Sequence, residues 1–367
     1  MTSERDRDER QVPESLLERI RSLRALDIEV ATRAALAAVI PLVILILIGR
    51  IEWAPYASFG AMTSLYGRSE PYRVRARTVT VAAVALVVSI GLGILMAVTA
   101  PPLPVLAAGL IVVIVAGSLL SATAGLFPPT TIFFVFAYTV CAQVPTRAGD
   151  TAMLLAVAVA SAAFAWLITM SGWALRRLAG ERSPDLFKGL SRRAQINWSA
   201  YRDGPVWRTI GQNVVGVLIA GAIATLVGMG HSYWAVVSVV AVLPPPRARH
   251  TTSRAWHRII GTFLGVIVTG LILLPGPPLW VLVVVIGIGQ FGAEIFVGRH
   301  YATALLFITP LALTVSHLGS PLPVSTLLVD RAVETALGGA VAILIVLVAR
   351  GRAERRGRLA PGVQRAA

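Results

Sequence analysis

The sequence predicts an all-α integral membrane protein with about twelve transmembrane helices, arranged as two parallel six-helix repeats. Hydrophobic residues make up 56% of its 367 residues and charged residues only 14%, whereas soluble domains are nearer half apolar and a quarter charged. The mean hydropathy is +0.75. Apolar segments long enough, or nearly long enough, to cross the ~30 Å hydrocarbon layer recur along the chain. These observations exclude an ordinary soluble fold.

Twelve apolar segments are separated by short breaks rich in proline, glycine or charge. The first repeat (34–175) is predicted to hold spans at 34–49, 53–67, 79–98, 105–127, 131–143 and 151–175. The second repeat (209–349) is predicted to hold spans at 209–230, 233–243, 259–274, 279–297, 301–318 and 324–349. The segments support ten to twelve spans, with twelve the best count.

Three polar segments flank these repeats: residues 1–33, 176–208 and 350–367. They are predicted to be a cytoplasmic N-terminal segment, a cytoplasmic linker and a basic cytoplasmic tail. Ser15 and Glu18 form a capping box ahead of apolar residues at helical spacing, which indicates a short helix on the membrane surface. A solvated tail is the alternative interpretation of that segment.

The distribution of basic residues predicts the orientation. With the N-terminus inside, thirty of the 33 Lys and Arg residues fall in inside segments, Arg50 and Arg147 fall outside, and Arg331 lies within a span. Cytoplasmic loops carry such an excess of positive charge. We therefore expect a multi-pass plasma-membrane protein with both termini in the cytoplasm. On this interpretation the net charge of +15 reflects the basic residues of the cytoplasmic segments. Nucleic acid is therefore not an expected partner.

An internal repeat appears when the chain is shifted by 181 residues. The shift superimposes Trp53-Ala54 on Trp234-Ala235, Arg68 on Arg249, Arg73 on Arg254 and Arg77 on Arg258. The abundance of arginine in cytoplasmic loops does not explain the Trp-Ala pair at the same offset, so we interpret the pattern as a duplication. An even number of spans in each half makes the repeats parallel.

The second span of each repeat is short, at 53–67 and 233–243. Neither crosses the hydrocarbon layer comfortably. Paired short segments in two halves point to a transport site, because irregular backbone at membrane depth must face protein or a cavity. Trp53 and Trp234, which begin these spans, are therefore candidate substrate-binding residues. The alternative is a tilted helix with an interfacial tryptophan anchor.

Two stretches carry a family resemblance. Residues 234–240 (WAVVSVV), followed by a basic loop and 258–265 (RIIGTFLG), resemble the fusaric acid resistance (FUSC) family, the aromatic acid exporter-like group, which is related to plant aluminium-activated malate transporters. Residues 330–338 (DRAVETALG) resemble the last span of that family. The resemblance implies an exporter-like permease for organic anions, aromatic carboxylates among them, in a small form without the large cytoplasmic domain of bigger members. The first half departs from the pattern, with Thr80 and Val84 in place of Gly261 and Gly265.

Four arginines are the first candidate substrate-binding group. Arg73 and Arg77, like Arg254 and Arg258, are spaced i, i+4, so each pair lies on one face of a helix entering the membrane. A guanidinium presents a planar fork that matches a carboxylate. The four side chains are predicted to form a vestibule for an organic anion. The alternative is a topogenic role in contact with lipid phosphates.

The last span holds a second candidate group. Asp330 and Glu334 share a face at i, i+4, and Arg331 can pair with Glu334 at i, i+3. Charges within a span usually mark a pathway or a relay. Asp330 and Glu334 are candidate proton-coupling residues, and Arg331 is a candidate substrate-binding residue. The alternative is a self-neutralised pair near the outer interface.

Other classes of site lack sequence support. No HExxH, GxSxG, phosphate loop or Cys/His cluster is present, and Cys141 is the single cysteine, so we expect no enzyme activity, catalytic residue, cofactor or metal. The expected partners are membrane lipids and a small organic anion, with a homo-oligomer left open. Three functions remain: a permease that is either proton-coupled or uncoupled, a passive anion channel, and a membrane scaffold or lipid-interacting subunit without flux.

Overall fold

The computed structural model describes residues 25–180, 190, 192, 194–243, 245, 253–319 and 323–358. Each of the twelve predicted apolar segments contains a helix. These are α1 Ala25–Leu47, α2 Ala54–Ala61, α3 Tyr72–Thr99, α4 Leu103–Ala124, α5 Ile132–Cys141, α6 Thr151–Ala179, α7 Gly204–Leu226, α8 Tyr233–Val242, α9 Ser253–Leu273, α10 Leu279–Phe296, α11 Tyr301–Gly319 and α12 Val324–Arg358. The described residues contain no strand, as the predicted fold class requires.

Nine of the described helices are long and apolar enough to cross a membrane, while α2, α5 and α8 are too short. The predicted arrangement of twelve full spans in two repeats is therefore not confirmed. Large apolar side chains cover much of the outer surface: Leu47 is 79% exposed, Leu226 86% and Leu271 74%. Such a surface suits lipid contact. The chain is a multi-pass helical membrane protein.

The short helices α2 and α8 lie in the interior of the bundle. Every residue of both helices is buried. Helix α2 continues as a 3-10 turn, Met62–Leu65, whereas α8 spans only about 15 Å at 1.5 Å per residue. Their ends leave unpaired backbone groups that hydrocarbon cannot satisfy. Surrounding protein must therefore supply the partners, and the sequence prediction of two shortened spans is confirmed.

Most helix pairs that pack in one half recur in the other. The pairs α1–α2, α1–α6, α2–α3, α2–α6, α3–α5, α3–α6 and α4–α5 recur in the second half with each number raised by six, whereas α2–α5 and α3–α4 in the first half and α11–α12 in the second half have no comparable counterpart. The halves meet through α1–α10 and α4–α7, and through α2–α11 and α5–α8. Each contact between the halves thus has a counterpart in which the two halves exchange roles.

Glycines allow the closest of these helix contacts. A Cβ atom on Gly265 would lie 2.6 Å from the Cβ of Thr309 on α11, and one on Gly261 would lie 2.6 Å from a backbone oxygen of the same helix. Small residues let backbones approach in this way. Gly261 and Gly265 therefore pack α9 against α11, and neither lines the cavity described below.

Some boundaries differ from the sequence prediction. Helix α1 begins at Ala25, within the predicted N-terminal segment, and α12 extends to Arg358, within the predicted tail. The helices continue because polar residues at their ends can remain helical in the headgroup region. The capping box at Ser15 and Glu18 lies outside the described residues, as do Pro244, Pro246 and Arg249.

Candidate functional site

A cavity of about 190 Å³ lies between the two halves. Its walls come from α1, α2 and α5 of the first half and from α8 to α12 of the second half. The short helices α2, α5 and α8 all contribute to these walls; of the three, the sequence interpretation singled out α2 and α8. We call it the central cavity. We call the end of the bundle where α1 and α7 begin the linker end.

Aromatic rings form one wall of the central cavity. The ring centroids of Phe59 and Phe136 lie 5.0 Å apart, edge to face, and those of Phe136 and Trp234 lie 5.1 Å apart. Phe133 also lines the cavity. Trp234 is fully buried, and its indole nitrogen has no hydrogen-bond partner among the described residues. The wall therefore offers ring faces and one free donor.

Arg331 brings a guanidinium to this wall. It is 1% exposed, and its guanidinium carbon lies 3.9 Å from the centre of the Trp234 ring. Within the described part of the chain, its Nε and Nη1 atoms are buried without hydrogen-bond partners. A buried charge normally has a partner. The Arg331 guanidinium therefore contacts the face of the Trp234 ring, while its Nε and Nη1 donate no hydrogen bond to the described residues.

Arg254 and Arg258 lie nearer the linker end of the same cavity. Tyr301 organises both: its ring lies under the Arg254 guanidinium at 4.3 Å, and its hydroxyl accepts a 2.9 Å hydrogen bond from Nη1 of Arg258. Nε of Arg254 donates to the carbonyl of Ala241 at 2.7 Å. Arg258 is 3% exposed, and its Nε finds no partner in the described residues.

The two acidic candidates lie outside the cavity lining, at the end of α8 away from the linker. The Glu334 carboxylate accepts hydrogen bonds from the backbone N–H groups of His231 and Trp234, each at 3.2 Å. Asp330 lies 2.7 Å from Nδ1 of His231. A carboxylate at a helix N-terminus satisfies orphan donors and complements the helix dipole. Glu334 therefore caps α8, and no ion pair joins it to Arg331 among the described side chains.

The remaining sequence-predicted residues are not gathered at the cavity. Arg73 is exposed, and Nη2 of Arg77 donates to the carbonyl of Ala194 in the linker at 2.8 Å. Trp53 packs at the far end of the bundle from the linker, with the Arg50 guanidinium 5.2 Å from its ring centre. The arginines of the second half line the cavity, whereas those of the first half do not. The arginines therefore have different surroundings in the two halves, although they occupy matching positions of the repeat.

A charge network at the linker end was missed by the sequence interpretation. The Asp27 carboxylate contacts Arg68 of the first half and Arg299 of the second half, each at 2.5 Å. Arg68 also lies 3.9 Å from Glu294, a cavity-lining residue. Arg33 is 6% exposed, and its three guanidinium nitrogens have no hydrogen-bond partner among the described residues. The sequence feature that could have revealed this network is the presence of charged residues within or beside apolar runs.

The described residues contain no group of three or more His, Cys, Asp or Glu that could hold a metal ion. The Cys141 thiol is buried. The expectation of no metal and no cofactor stays a prediction.

Comparison with known proteins finds a family similarity in the second half of the chain. Residues 214–345 match the fusaric acid resistance protein-like family. An uncharacterized protein of the cyanobacterium Synechocystis sp. is 28% identical over 180 aligned positions, which cover 44% of this chain and 23% of that protein. The match thus spans less than a quarter of the relative's length. No solved structure matches the chain.

The matched region begins in α7 and ends in α12. It contains the aromatic and basic side chains that line the cavity from the second half, namely Trp234, Arg254, Arg258, Tyr301 and Arg331. The resemblance predicted from residues 234–240, 258–265 and 330–338 is confirmed. Over residues 214–345, this multi-pass membrane chain is similar to the fusaric acid resistance protein-like family.

Proposed function

We propose that this protein is a transporter for organic anions, with aromatic carboxylates as the favoured class. The family similarity of the second half supports a membrane transporter. We place it in the plasma membrane with both termini and the linker end of the bundle in the cytoplasm, on the strength of the basic-residue distribution. The proposal assigns no catalytic step.

The observation that carries the proposal is the composition of the central cavity. Phe59, Phe136 and Trp234 present ring faces and edges, while Arg258 and Arg331 present buried guanidinium nitrogens without partners among the described residues. A ring-bearing carboxylate matches both features, because the ring packs on the aromatic wall and the carboxylate accepts from the guanidinium groups. Leaving two buried cations unpaired is costly for a purely structural site.

We also propose that the two halves are parallel six-helix repeats that move relative to each other. The recurrence of most helix pairs in both halves supports a duplication. The cavity lies between the halves, where rocking of one repeat against the other would expose it to each side in turn. The Asp27 carboxylate, which contacts arginines from both halves, would have to release one of them during that motion.

A second candidate property is coupling to protons through Asp330 and Glu334. The contact of Asp330 with His231 at 2.7 Å favours it, because a carboxylate and an imidazole can pass a proton between them and the pair lies at the end of the bundle opposite the linker. Asp330→Asn and Glu334→Gln should each reduce the dependence of transport on a pH gradient. Transport that keeps its full pH dependence in both variants would leave the cluster as a structural cap of α8.

The decisive experiment is uptake by proteoliposomes of small carboxylates, with benzoate and malate as an aromatic and an aliphatic pair. We expect saturable transport of benzoate that is stronger than that of malate. Flux that follows the anion gradient alone and does not saturate would identify a passive channel. Absence of flux under every gradient would overturn the proposal and favour a scaffold.

A further inference from the structure

A second pocket, of about 280 Å³, lies at the linker end of the bundle. Its walls come from the end of α4, the residues after that helix, the linker, the start of α7 and the end of α8. It differs from the central cavity in chemistry, since seven hydroxyl or amide side chains share its lining with apolar residues, whereas aromatic rings and arginines mark the cavity. The polar residues concerned are Ser118, Ser121, Thr130, Thr131, Asn197, Thr209 and Asn213.

Two of the described residues that line the pocket are charged, Arg192 and Asp203. Nη1 of Arg192 donates to the buried Glu70 carboxylate at 3.0 Å, and Nη2 donates to the carbonyl of Gly125 at 3.0 Å. Burial lowers the pKa of Arg192, and the Glu70 carboxylate opposes that shift. Arg192 is therefore occupied in tying the linker to the first half. None of the described residues that line the pocket offers an anion a free guanidinium of the kind found in the cavity.

Two buried polar atoms in the pocket lack partners among the described residues. They are Oγ of Ser121, which is 6% exposed, and Oδ1 of Asn213, which is 5% exposed. Buried polar atoms are nearly always satisfied by protein or by water. A roomy site lined by such atoms suits water or a polar solute. The lining therefore indicates a hydrated compartment.

The pocket and the central cavity follow one another along the same walls. Thr130 lines both. On α8, Val237 lines the cavity, and Val240, one turn nearer the linker end, lines the pocket. Pro128 faces the cavity and Pro129 the pocket. We call residues 127–131 the partition segment, because it separates the two compartments.

We infer that this pocket is the cytoplasmic antechamber through which a carboxylate substrate reaches the central cavity, with the partition segment as the barrier between them. The inference rests on the proposed function. Neutral hydroxyl and amide groups hydrate an anion without holding it, whereas unpaired guanidinium groups hold it. The free energy of an anion therefore falls when it moves from the antechamber past the partition segment into the cavity.

Thiol labelling tests this inference, since the parent protein has one cysteine and Cys141 is fully buried. Thr209→Cys places a thiol in the antechamber. Thr225→Cys is the matched control, because it lies on the same helix about 24 Å away at 1.5 Å per residue and outside the pocket. The probe is the membrane-impermeant anion sulfonatoethyl methanethiosulfonate, applied to inside-out and right-side-out vesicles.

We expect the probe to modify Thr209→Cys from the cytoplasmic side alone, to remove most of its benzoate transport, and to react more slowly when benzoate is present. Modification of Thr225→Cys should leave transport unchanged. Ser118→Cys on α4 repeats the test if Thr209→Cys fails to fold. Full transport after complete modification of either antechamber cysteine would overturn the inference alone. No benzoate transport by the unmodified parent would overturn the proposed function, and the inference with it.

Discussion

Arg331→Gln should weaken substrate binding without weakening the fold. Arg331 is 1% exposed, and its Nε and Nη1 atoms lack partners among the described residues. A hydrogen bond to a charged group contributes about 1.5–3 kcal/mol. Since about 1.4 kcal/mol corresponds to a factor of ten, losing one such bond should raise the dissociation constant of benzoate by about 10- to 100-fold.

The expected effect on stability has the opposite sign. The contact with the Trp234 ring, at 3.9 Å, contributes about 2 kcal/mol when desolvated. Burying an unpaired guanidinium costs several kcal/mol. Desolvation is therefore the larger of the two, so removing the charge should leave the thermal midpoint unchanged or raise it. A purely structural arginine would show a lower midpoint instead.

Competition binding of labelled benzoate and thermal unfolding of the purified protein measure the two effects. Arg331→Lys should keep the charge and the ring contact, with an intermediate loss of affinity, because ammonium lacks the planar fork. Arg50→Gln is the matched control: Arg50 also lies over a tryptophan, but its side chain is 57% exposed, so little change is expected. Unchanged affinity in Arg331→Gln, or a loss of affinity matched by a lower thermal midpoint, would refute the reasoning.

Four further predictions follow from the packing and the charges. Arg258→Ala should reduce benzoate transport at equal membrane abundance, while Arg77→Ala, whose guanidinium binds the linker, should not. Asp27→Asn should lower the free energy of unfolding by about 3 kcal/mol, because two largely buried guanidinium groups lose their shared partner. Gly265→Val should destabilise by about 1–3 kcal/mol through overpacking against α11. Reporter fusions within residues 176–208 should report the cytoplasm.

Each of these has a control or a contrary result. Equal loss of transport in the Arg258 and Arg77 variants would support a shared topogenic role. Glu52→Gln is the control for Asp27, since its partner is more than half exposed and the expected change is under about 1 kcal/mol. Gly211→Ala is the control for Gly265, because its added Cβ meets open space. An extracytoplasmic signal from the linker would overturn the orientation.

Hydropathy and proline or glycine breaks were sufficient to predict where helices lie. These sequence features predicted all twelve helical segments, and they predicted that two interior segments, α2 and α8, are short. These features are local, because the length and polarity of a segment decide whether it suits hydrocarbon. The shortness of α5 was not singled out, although Pro128 and Pro129 before it and the break after Cys141 were visible.

Contacts between distant segments could not be predicted in the same way. The sequence gives Arg77 and Arg258 the same register, yet Arg77 binds the linker and Arg258 binds Tyr301. Spacing along α12 suggested that Arg331 pairs with Glu334, whereas Glu334 caps α8. The partner that a charged side chain meets depends on how the helices pack, and a single sequence carries little information on that packing.

The double contact of Asp27 has a consequence for how the chain is made. Arg68 follows it by 41 residues, but Arg299 follows by 272 residues. At about 5–20 residues per second, the ribosome delivers Arg299 roughly 15–50 s after Asp27. The nascent first half can hold Asp27 through Arg68 during that interval, while the face of α1 that will receive α10 stays uncovered. The contact between α1 and α10 therefore forms late in synthesis, after α4–α7 and α5–α8 can already have joined the halves. A chain stalled before α10 would present that face of α1 to lipid or to the insertion machinery.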